Sequence, residues 1–263
     1  MIFETHAHYD DKRFDEDRDA LLCSMPEQGI GTIINVGASF EGCQKSIALA
    51  EQYPYIYAAI GIHPENMEDA TTEHMDWIRT HAKYKKVVAI GEIGLDYYWE
   101  ENVTKRQQQK ELFAEQLELA KDMQLPVIIH SRDAAADTVE VMQRAQESWQ
   151  QAAGKYLGVV HCYSYSKELA REFIKMGYYI GVGGVVTFKN AKKLKETVAD
   201  IGIEHILLET DCPYMAPEPH RGSRNDSTYI PYMVAVIAEL TGHTAEEVIT
   251  VTRENAKQLF GEI

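Results

Sequence analysis

Two histidines near the start of the chain, His6 and His8, have a spacing that allows both to bind one metal ion. They follow a short apolar run, and in an extended strand every second side chain lies on the same face. Glu4, His6 and His8 would then share one side of the strand. A His-x-His pair alone is weak evidence, because hydrogen-bonded or solvated histidines are more common than metal ligands. The interpretation therefore depends on which other ligands the chain can supply.

Four further candidate ligands follow short apolar runs elsewhere in the chain. They are Glu92, His130, His161 and Asp211. Imidazole suits divalent transition metals, and the two oxygens of one carboxylate can bind two different cations. Six ligands are too many for one catalytic ion with an open coordination position, but they suit two ions that share a bridging group. We therefore predict two divalent ions, zinc, manganese or magnesium, with Glu92 as the bridge.

Two ions with this ligand set indicate metal-assisted hydrolysis. Water held between two cations loses a proton near neutral pH and can attack a phosphorus atom, while the cations stabilise the negative charge that develops. Asp211 can accept that proton with one oxygen while its other oxygen stays on a metal. We predict Asp211 and Glu92 as the catalytic residues.

Side chains suited to a phosphate-bearing substrate lie near the same strand ends. Arg132 is two residues beyond His130 and shares its strand parity, and a guanidinium binds phosphate oxygens in a bidentate manner. Arg221 and Arg224 lie in a glycine-containing loop after the last strand, where barrels often bind phosphate. His63 closes the third apolar run. We predict these four as substrate-binding residues; the alternatives are a solubilising role for Arg221 and a structural hydrogen bond for His63.

Other residues beside the candidate ligands have less specific roles. Glu209 shares parity with Asp211, and a buried carboxylate there is expected to orient a ligand histidine or Arg132. Cys162 and Cys212 each directly follow a ligand, so we expect them to face the helices and pack there. The three aromatic residues at 97–99 are expected either to stack on nucleobases or to pack at the rim of the site.

The elements that must position these residues alternate regularly along the chain. Short apolar runs at 1–5, 32–36, 55–60, 87–90, 127–129, 157–160, 178–182 and 206–208 indicate eight strands. Helical spacing of apolar residues occurs at 15–28, 41–52, 72–82, 103–123, 134–150, 166–176, 191–201, 231–240 and 245–260. Near-continuous apolar strands that alternate with helices are typical of a (β/α)₈ TIM barrel, with the site at the C-terminal ends of the strands. A doubly wound open sheet has the same local pattern and remains the structural alternative.

Composition and charge limit the classes of protein that fit the chain. Its 263 residues suit one barrel domain, and we predict a single domain over residues 1–263. A formal net charge of −15 argues against broad, non-specific binding to a nucleic-acid backbone. The four cysteines show no C-x-x-C spacing, and the N-terminus lacks a secretory signal pattern. We expect a cytoplasmic protein without membrane association, and no sequence feature indicates an obligate protein partner.

The motifs that carry these residues resemble a known family, the TatD-type metal-dependent deoxyribonucleases of the amidohydrolase-like barrel superfamily. The resemblance extends through most of the chain. It rests on the segments ETHAH (4–8), IGIHP (60–64), GEIGLDY (91–97), PVIIHSR (126–132), HCYS (161–164), ETDCPY (209–214) and RGSRN (221–225). The order and combination of these segments are highly specific.

The resemblance implies hydrolysis of phosphodiester bonds in DNA, often from an end, with DNA as the substrate. It also implies that one ion is bound by His6, His8, Glu92 and Asp211. The second ion would be bound by Glu92, His130 and His161.

The chain departs from the family pattern in two places. Family members usually carry Asp where this chain has Glu4, and Glu-Pro where it has Asp226 and Ser227. We expect the longer side chain of Glu4 to shift a hydrogen bond near the histidines and to alter the metal preference.

Two other functions remain open at the level of sequence. A related barrel enzyme that hydrolyses a small amide, lactone or phosphoester could use the same metal centre, because a fold alone does not determine function. A metal-bound protein without catalysis is the other alternative. The arginines near the site favour a phosphate-bearing substrate, whereas the net negative charge keeps a small substrate open.

Overall fold

Eight strands form one parallel sheet in which the spatial order of the strands is their order in the chain. The computed structural model describes residues 1–149 and 156–263. The strands are β1 (Ile2–Ala7), β2 (Ile30–Val36), β3 (Ile56–Ile60), β4 (Val87–Asp96), β5 (Val127–Arg132), β6 (Gly158–Val160), β7 (Tyr178–Val182) and β8 (Ile206–Leu208). Every residue of β1 and β4 is buried, which explains why the strands are almost continuously apolar.

The sheet closes where the last strand meets the first. Each strand pairs in parallel with the next, from β1 to β8. Beyond β8, a parallel bridge joins Ala7 to Cys212, and the Asp211 amide donates a hydrogen bond to the His6 carbonyl at 2.9 Å. The predicted (β/α)₈ barrel is therefore confirmed, and the open-sheet alternative is wrong.

Helices connect the strands on the outside of the barrel. They are α1 (Arg18–Ser24), α2 (Phe40–Gln52), α3 (Thr72–His81), α4 (Val103–Met123), α5 (Ala135–Trp149), α6 (Lys167–Lys175), α7 (Lys192–Ile201), α8 (Ile230–Thr241) and α9 (Ala245–Phe260). Side chains satisfy free backbone amides at several helix starts: Asn102 caps α4, and Thr244 with Glu247 forms a capping box at α9. The predicted end of the fifth helix, Gln150, lies outside the described residues.

The boundaries of three predicted elements were wrong in ways that concern the site. β4 continues six residues beyond the predicted end at residue 90, and β5 ends at Arg132 rather than at residue 129. The polar residues there therefore belong to barrel strands rather than to loops; Glu92 and Asp96 are buried, whereas Arg132 is exposed. The first helix is shorter than the predicted 15–28, because the chain before it forms a short 3₁₀ helix and turns. Among the described helices, none is long and apolar enough to cross a membrane.

Candidate metal centre

The six predicted ligands come together at the C-terminal end of the barrel: five of them line one cleft, and His6 is buried beside them, with its Nε2 atom 3.0 Å from His8 Nε2. His6 is within β1 and His8 directly follows it, Glu92 is within β4, and His130 is within β5. The other two ligands, His161 and Asp211, follow β6 and β8. Strands in a barrel of this kind point their C-terminal ends to one face, and residues from distant parts of the sequence therefore become neighbours.

The carboxylate of Glu92 lies between two groups of imidazole nitrogens. Its Oε2 atom is 3.5 Å from His6 Nε2 and 3.8 Å from His8 Nε2. Its Oε1 atom is 2.9 Å from His130 Nδ1 and 2.6 Å from His161 Nε2. Each oxygen of one buried carboxylate thus faces a different pair of histidines, which is the arrangement expected of a bridge between two cations.

Distances in the first half of the cluster fit a shared cation. The Nε2 atoms of His6 and His8 are 3.0 Å apart, and Asp211 Oδ1 is 3.3 Å from His8 Nε2. Two nitrogen ligands at about 2.1 Å from one ion, at an angle near 90°, are roughly 3 Å apart. The separation of these two nitrogens therefore matches two ligands of the same ion.

Hydrogen bonds on the far side of two rings leave the cluster-facing nitrogens ready to bind metal. His8 Nδ1 donates to the Val36 carbonyl at 2.7 Å, and His130 Nε2 donates to Asp96 Oδ2 at 2.9 Å. A neutral imidazole carries one proton, so the other nitrogen of each ring has a free lone pair. For His8 that nitrogen is Nε2 and for His130 it is Nδ1, and both face Glu92.

His63 also lines the cleft, but its ring is held with the opposite arrangement. The Glu65 amide donates a hydrogen bond to His63 Nδ1 at 3.1 Å, which places the proton of the neutral ring on Nε2. That Nε2–H group lies 3.7 Å from Glu92 Oε1. His63 therefore offers a hydrogen-bond donor to the cleft rather than a metal-binding lone pair.

The charges in the cluster are strongly coupled. Burial opposes a positive charge on His8 and His130, but the hydrogen bonds that these rings donate to carboxylates raise the pKa of His8 to about 10 and that of His130 to about 9. Burial lowers the pKa of His6 to about 4 and that of His63 to about 3. The neighbouring histidines hold the pKa of Glu92 well below its usual range in spite of burial. Without a cation, protons on His8 and His130 balance part of the carboxylate charge.

Asp211 has the geometry of a proton acceptor. Its Oδ1 atom faces the two β1 histidines, at 3.3 Å and 3.8 Å from their Nε2 atoms. Its Oδ2 atom has no hydrogen-bond partner among the described residues, although the side chain lines the cleft. The backbone of Asp211 has a φ of 57°, an unusual conformation for a residue other than glycine, and such residues cluster at functional sites.

Glu209 supports the His161 side of the cluster. Its Oε1 atom accepts a hydrogen bond from the amide of Cys162 and is 3.9 Å from His161 Nδ1. A Cβ atom at Gly181 would lie 2.3 Å from Glu209 Oε2 and 2.8 Å from the Cα of His161, so only glycine leaves room for this carboxylate. Within the described part of the chain, Glu209 makes no hydrogen bond or ion pair with Arg132. The prediction that Cys162 faces the helices was wrong: it lines the cleft, because strand parity no longer applies after β6 ends at Val160.

Glu4 is buried beneath the β1 histidines, but it holds the backbone instead of an imidazole ring. Its Oε1 atom accepts hydrogen bonds from the amides of His6 at 3.1 Å and Thr210 at 2.9 Å. Its Oε2 atom accepts from the hydroxyl of Ser227 at 3.0 Å. The two positions at which the chain departs from the family pattern are therefore in direct contact.

The predicted substrate arginines lie in different surroundings. Arg132 lines the cleft. Arg224 is held by Asp17, with two hydrogen bonds of 2.7 Å and 2.6 Å, so its guanidinium is not available for phosphate. Arg221 is exposed and lies over the ring of Phe188, outside the set of residues that line the cleft. We therefore do not retain the predicted substrate contact for Arg224, because an acidic residue distant in the sequence already binds it.

The aromatic residues after β4 divide into packed and exposed side chains. Tyr97 packs against Arg106 and donates a hydrogen bond to Asp137. Tyr98 and Trp99 are exposed by 47% and 74%. The functional residue that sequence reasoning missed is Asp96, which lies in the segment GEIGLDY and holds His130. Its place at the end of a long buried strand could have indicated this role.

Comparison with known proteins agrees with the geometry of the site. Residues 3–261 match the family model described as TatD related DNase. The chain is 43% identical over 260 residues to a protein from Bacillus subtilis called uncharacterized metal-dependent hydrolase YabD, with 99% of each chain covered. It is 35% identical over 261 residues to the protein from Escherichia coli K12 called uncharacterized metal-dependent hydrolase YjjV, with 98% of this chain and 97% of YjjV covered.

Solved structures give the same assignment. The crystal structure of YjjV, a TatD homologue from Escherichia coli K12, superposes with a TM-score of 0.91 at 33% identity and covers 100% of this chain and 98% of that one. A TatD family hydrolase from Entamoeba histolytica has a TM-score of 0.84 at 21% identity, with 100% and 99% covered, which supports the fold alone. The chain belongs to the TatD family of metal-dependent hydrolases.

Proposed function

We propose that this TatD-family hydrolase is a deoxyribonuclease that cleaves phosphodiester bonds of DNA at a centre of two divalent ions, zinc, manganese or magnesium. The observation that carries the proposal is an unpaired guanidinium, that of Arg132, in the same cleft as a carboxylate that faces two pairs of histidines. A cleft that holds cations and a free arginine suits a substrate with negative charge at the bond to be broken.

The donor set supports two ions that share Glu92. His6, His8 and Asp211 would complete one site, and His130 and His161 the other. Ions bound there would lower the pKa of water and neutralise charge on phosphoryl oxygens.

Three side chains of the cleft have separate tasks in this proposal. Asp211 takes the proton of the attacking water on its free Oδ2 atom. Arg132 binds a non-bridging oxygen of the phosphate. His63 donates a hydrogen bond from Nε2 to an oxygen of the substrate, which its fixed ring protonation supports.

A nuclease assay tests the proposal directly. Metal-loaded protein would be incubated with end-labelled single-stranded and double-stranded DNA, together with the variant Asp211→Asn. Exposed Asp76 on α3 provides the matched control Asp76→Asn. We expect metal-dependent degradation by the native protein and by Asp76→Asn, and a loss of at least about a hundredfold in Asp211→Asn.

Two results would contradict the proposal. One is the absence of DNA cleavage by protein that carries its metals, and the other is equal cleavage by Asp211→Asn. Faster turnover of a small amide, lactone or phosphoester than of DNA would favour the alternative of a small-molecule hydrolase. The predicted cytoplasmic location stays a prediction.

A further inference from the structure

Arg132 differs from most other arginines of the protein in having no polar partner. Its side chain is exposed at the cleft, and its guanidinium makes no hydrogen bond or ion pair with any described residue. The guanidinium of Arg221 also makes no hydrogen bond or ion pair with a described residue, but Arg221 is not among the residues that line the cleft. The remaining arginines each bind a carboxylate or a backbone carbonyl. In a chain with a net charge of −15, a guanidinium whose N–H groups make no hydrogen bond or ion pair with a described carboxylate is available for an anion from solution.

Arg132 is oriented by a contact with the ring of Tyr98. The guanidinium carbon lies 3.7 Å from the centroid of that ring, a stacked cation–π arrangement. The N–H groups of a stacked guanidinium lie in its plane, so the face is covered while the donor edges stay free. Arg132 covers one face of the Tyr98 ring, and the ring of Trp99 lies perpendicular to that of Tyr98, with the two ring centroids 4.3 Å apart. The Tyr98 ring is therefore already in contact with other side chains and is not simply an open surface for bases.

The position of Tyr98 is itself tied to the metal centre. The Tyr98 amide donates a hydrogen bond to Asp96 Oδ1 at 2.9 Å, while Asp96 Oδ2 accepts from His130 Nε2 at 2.9 Å. The adjacent strands pair Asp96 with Arg132, and the Tyr97 amide donates to the Arg132 carbonyl at 2.9 Å. One carboxylate therefore fixes both a ligand histidine and the loop that carries Tyr98.

We infer that Tyr98 is a positioning residue for substrate binding: it holds the guanidinium plane of Arg132 so that its N–H edge faces a phosphate group beside the metal centre. The inference deepens the proposed function and rests on it. Tyr98 acts only through Arg132 and takes no part in the chemistry. It should therefore affect the strength of phosphate binding rather than the rate of bond cleavage.

A double-mutant cycle separates this role from a general structural one. The variants are Tyr98→Leu, Tyr98→Phe, Arg132→Ala and the combination of Tyr98→Leu with Arg132→Ala, and KM and kcat are measured on a single-stranded oligodeoxynucleotide. We expect Tyr98→Leu to raise KM roughly three- to tenfold with kcat little changed, and Tyr98→Phe to retain the native KM. In the Arg132→Ala background, Tyr98→Leu should have no further effect. Tyr84, which is 44% exposed and lies three residues after the end of α3, provides the control Tyr84→Leu.

Several outcomes would overturn the inference. They are an unchanged KM in Tyr98→Leu, independent effects of the two substitutions, or a fall in kcat alone. A raised KM in Tyr98→Leu that persists without Arg132 would instead indicate direct stacking on bases. If the native protein does not cleave DNA, the proposed function fails. The same cycle is then measured by the binding of inorganic phosphate to the metal-loaded protein, where equal affinity of native protein and Tyr98→Leu would refute the positioning role.

Discussion

At the scale of single residues, the protonation of each imidazole determines what it can do in the cleft. His8 and His130 donate from their outer nitrogens, so each ring presents a lone pair toward Glu92 once its second proton is lost. His63 accepts at its outer nitrogen and presents a proton. Three histidines at similar distances from one carboxylate are therefore not equivalent, and backbone or carboxylate partners outside the cluster make the difference.

We expect the metal affinity of His130 to depend on Asp96. It accepts two hydrogen bonds, one per oxygen, and asparagine has only one oxygen. In Asp96→Asn a donor NH₂ group must face either the Tyr98 amide or His130 Nε2, and the second case moves the ring proton to Nδ1. We expect metal affinity to fall about 10- to 100-fold, measured by competition with a chelating dye.

A matched substitution tests whether the loss of any carboxylate near the site is sufficient to lower the metal affinity. Asp137 accepts a hydrogen bond from Tyr97 and forms an ion pair with Lys110. It makes no hydrogen bond or ion pair with a candidate metal ligand among the described residues. Asp137→Asn should bind metal as tightly as the native protein. Equal losses in both variants would show that fixing the His130 proton is not the cause.

Metal binding should become stronger as the pH rises. His8 and His130 have pKa values raised to about 10 and about 9, so in the metal-free protein both rings are protonated at pH 7. A cation must displace these protons, and the competition weakens at higher pH. The apparent affinity should therefore increase from pH 6 to about pH 9, and titration calorimetry in buffers of different ionisation enthalpy should detect proton release. A constant affinity over this range would contradict the raised pKa values.

Strand parity predicted most of the cluster from sequence, and its limits explain the errors. The candidate ligands on β1, β4 and β5 lie close together as predicted, because alternate residues of a strand share a face, while their role as metal ligands stays a prediction. Cys162 did not, because it lies beyond the end of β6. Arg224 was misassigned because its partner, Asp17, is distant in the sequence and only the folded chain brings the two together. No sequence periodicity contains such information.

At the scale of elements, the junction between β1 and β8 is held by side chains as well as by backbone pairing. The threonine hydroxyl of Thr5 donates to the Leu208 carbonyl at 2.9 Å, and Glu4 accepts from the Thr210 amide. On the outer side of this junction, Ser227 in the 3₁₀ helix Ser227–Tyr229 donates to Glu4 and also contacts the hydroxyl of Tyr9 at 2.7 Å. The family departures at Glu4 and Ser227 thus form one connected feature.

Removing the hydroxyl of Ser227 should destabilise this junction. Ser227→Ala leaves Glu4 Oε2 buried without a donor, and an unsatisfied buried polar group costs about 1–3 kcal/mol. We expect a decrease of that size in the free energy of unfolding of the metal-free protein, measured by urea denaturation. Ser223→Ala, at an exposed position of the same loop, should change it by less than about 0.5 kcal/mol. Equal stabilities of the two variants would show that the Ser227–Glu4 hydrogen bond contributes little.

At the scale of the whole molecule, the negative charge opposes the substrate that the cleft is proposed to bind. The chain carries a net charge of −15, and DNA is a polyanion, so long-range repulsion slows their encounter. In the proposed function, local positive charge from the bound ions and from Arg132 would attract the phosphate. The prediction of a single domain over residues 1–263 stays a prediction.

The repulsion between the protein and DNA predicts that kcat/KM has an unusual dependence on salt concentration. For proteins that bind DNA through many basic side chains, affinity falls steeply with salt, because binding releases counterions. Here, added salt screens the repulsion, so kcat/KM for single-stranded DNA should stay level or rise between about 20 and 150 mM KCl. Steady-state kinetics at a fixed concentration of divalent ion provides the measurement. A steep fall would reveal an extended basic surface that contacts the backbone.

The closure of the barrel has a consequence for how the protein is made. His6 lies on β1, the first strand of the barrel, whereas Asp211 follows β8, the last strand, and both face the same proposed ion. Such an ion would act as a cross-link between the two ends of the barrel and would close a loop that contains most of the chain. A nascent chain that has not yet emerged past β8 lacks one side of this link. Metal retention would then distinguish a completed barrel from a truncated one, so that the reactive centre exists only in finished molecules.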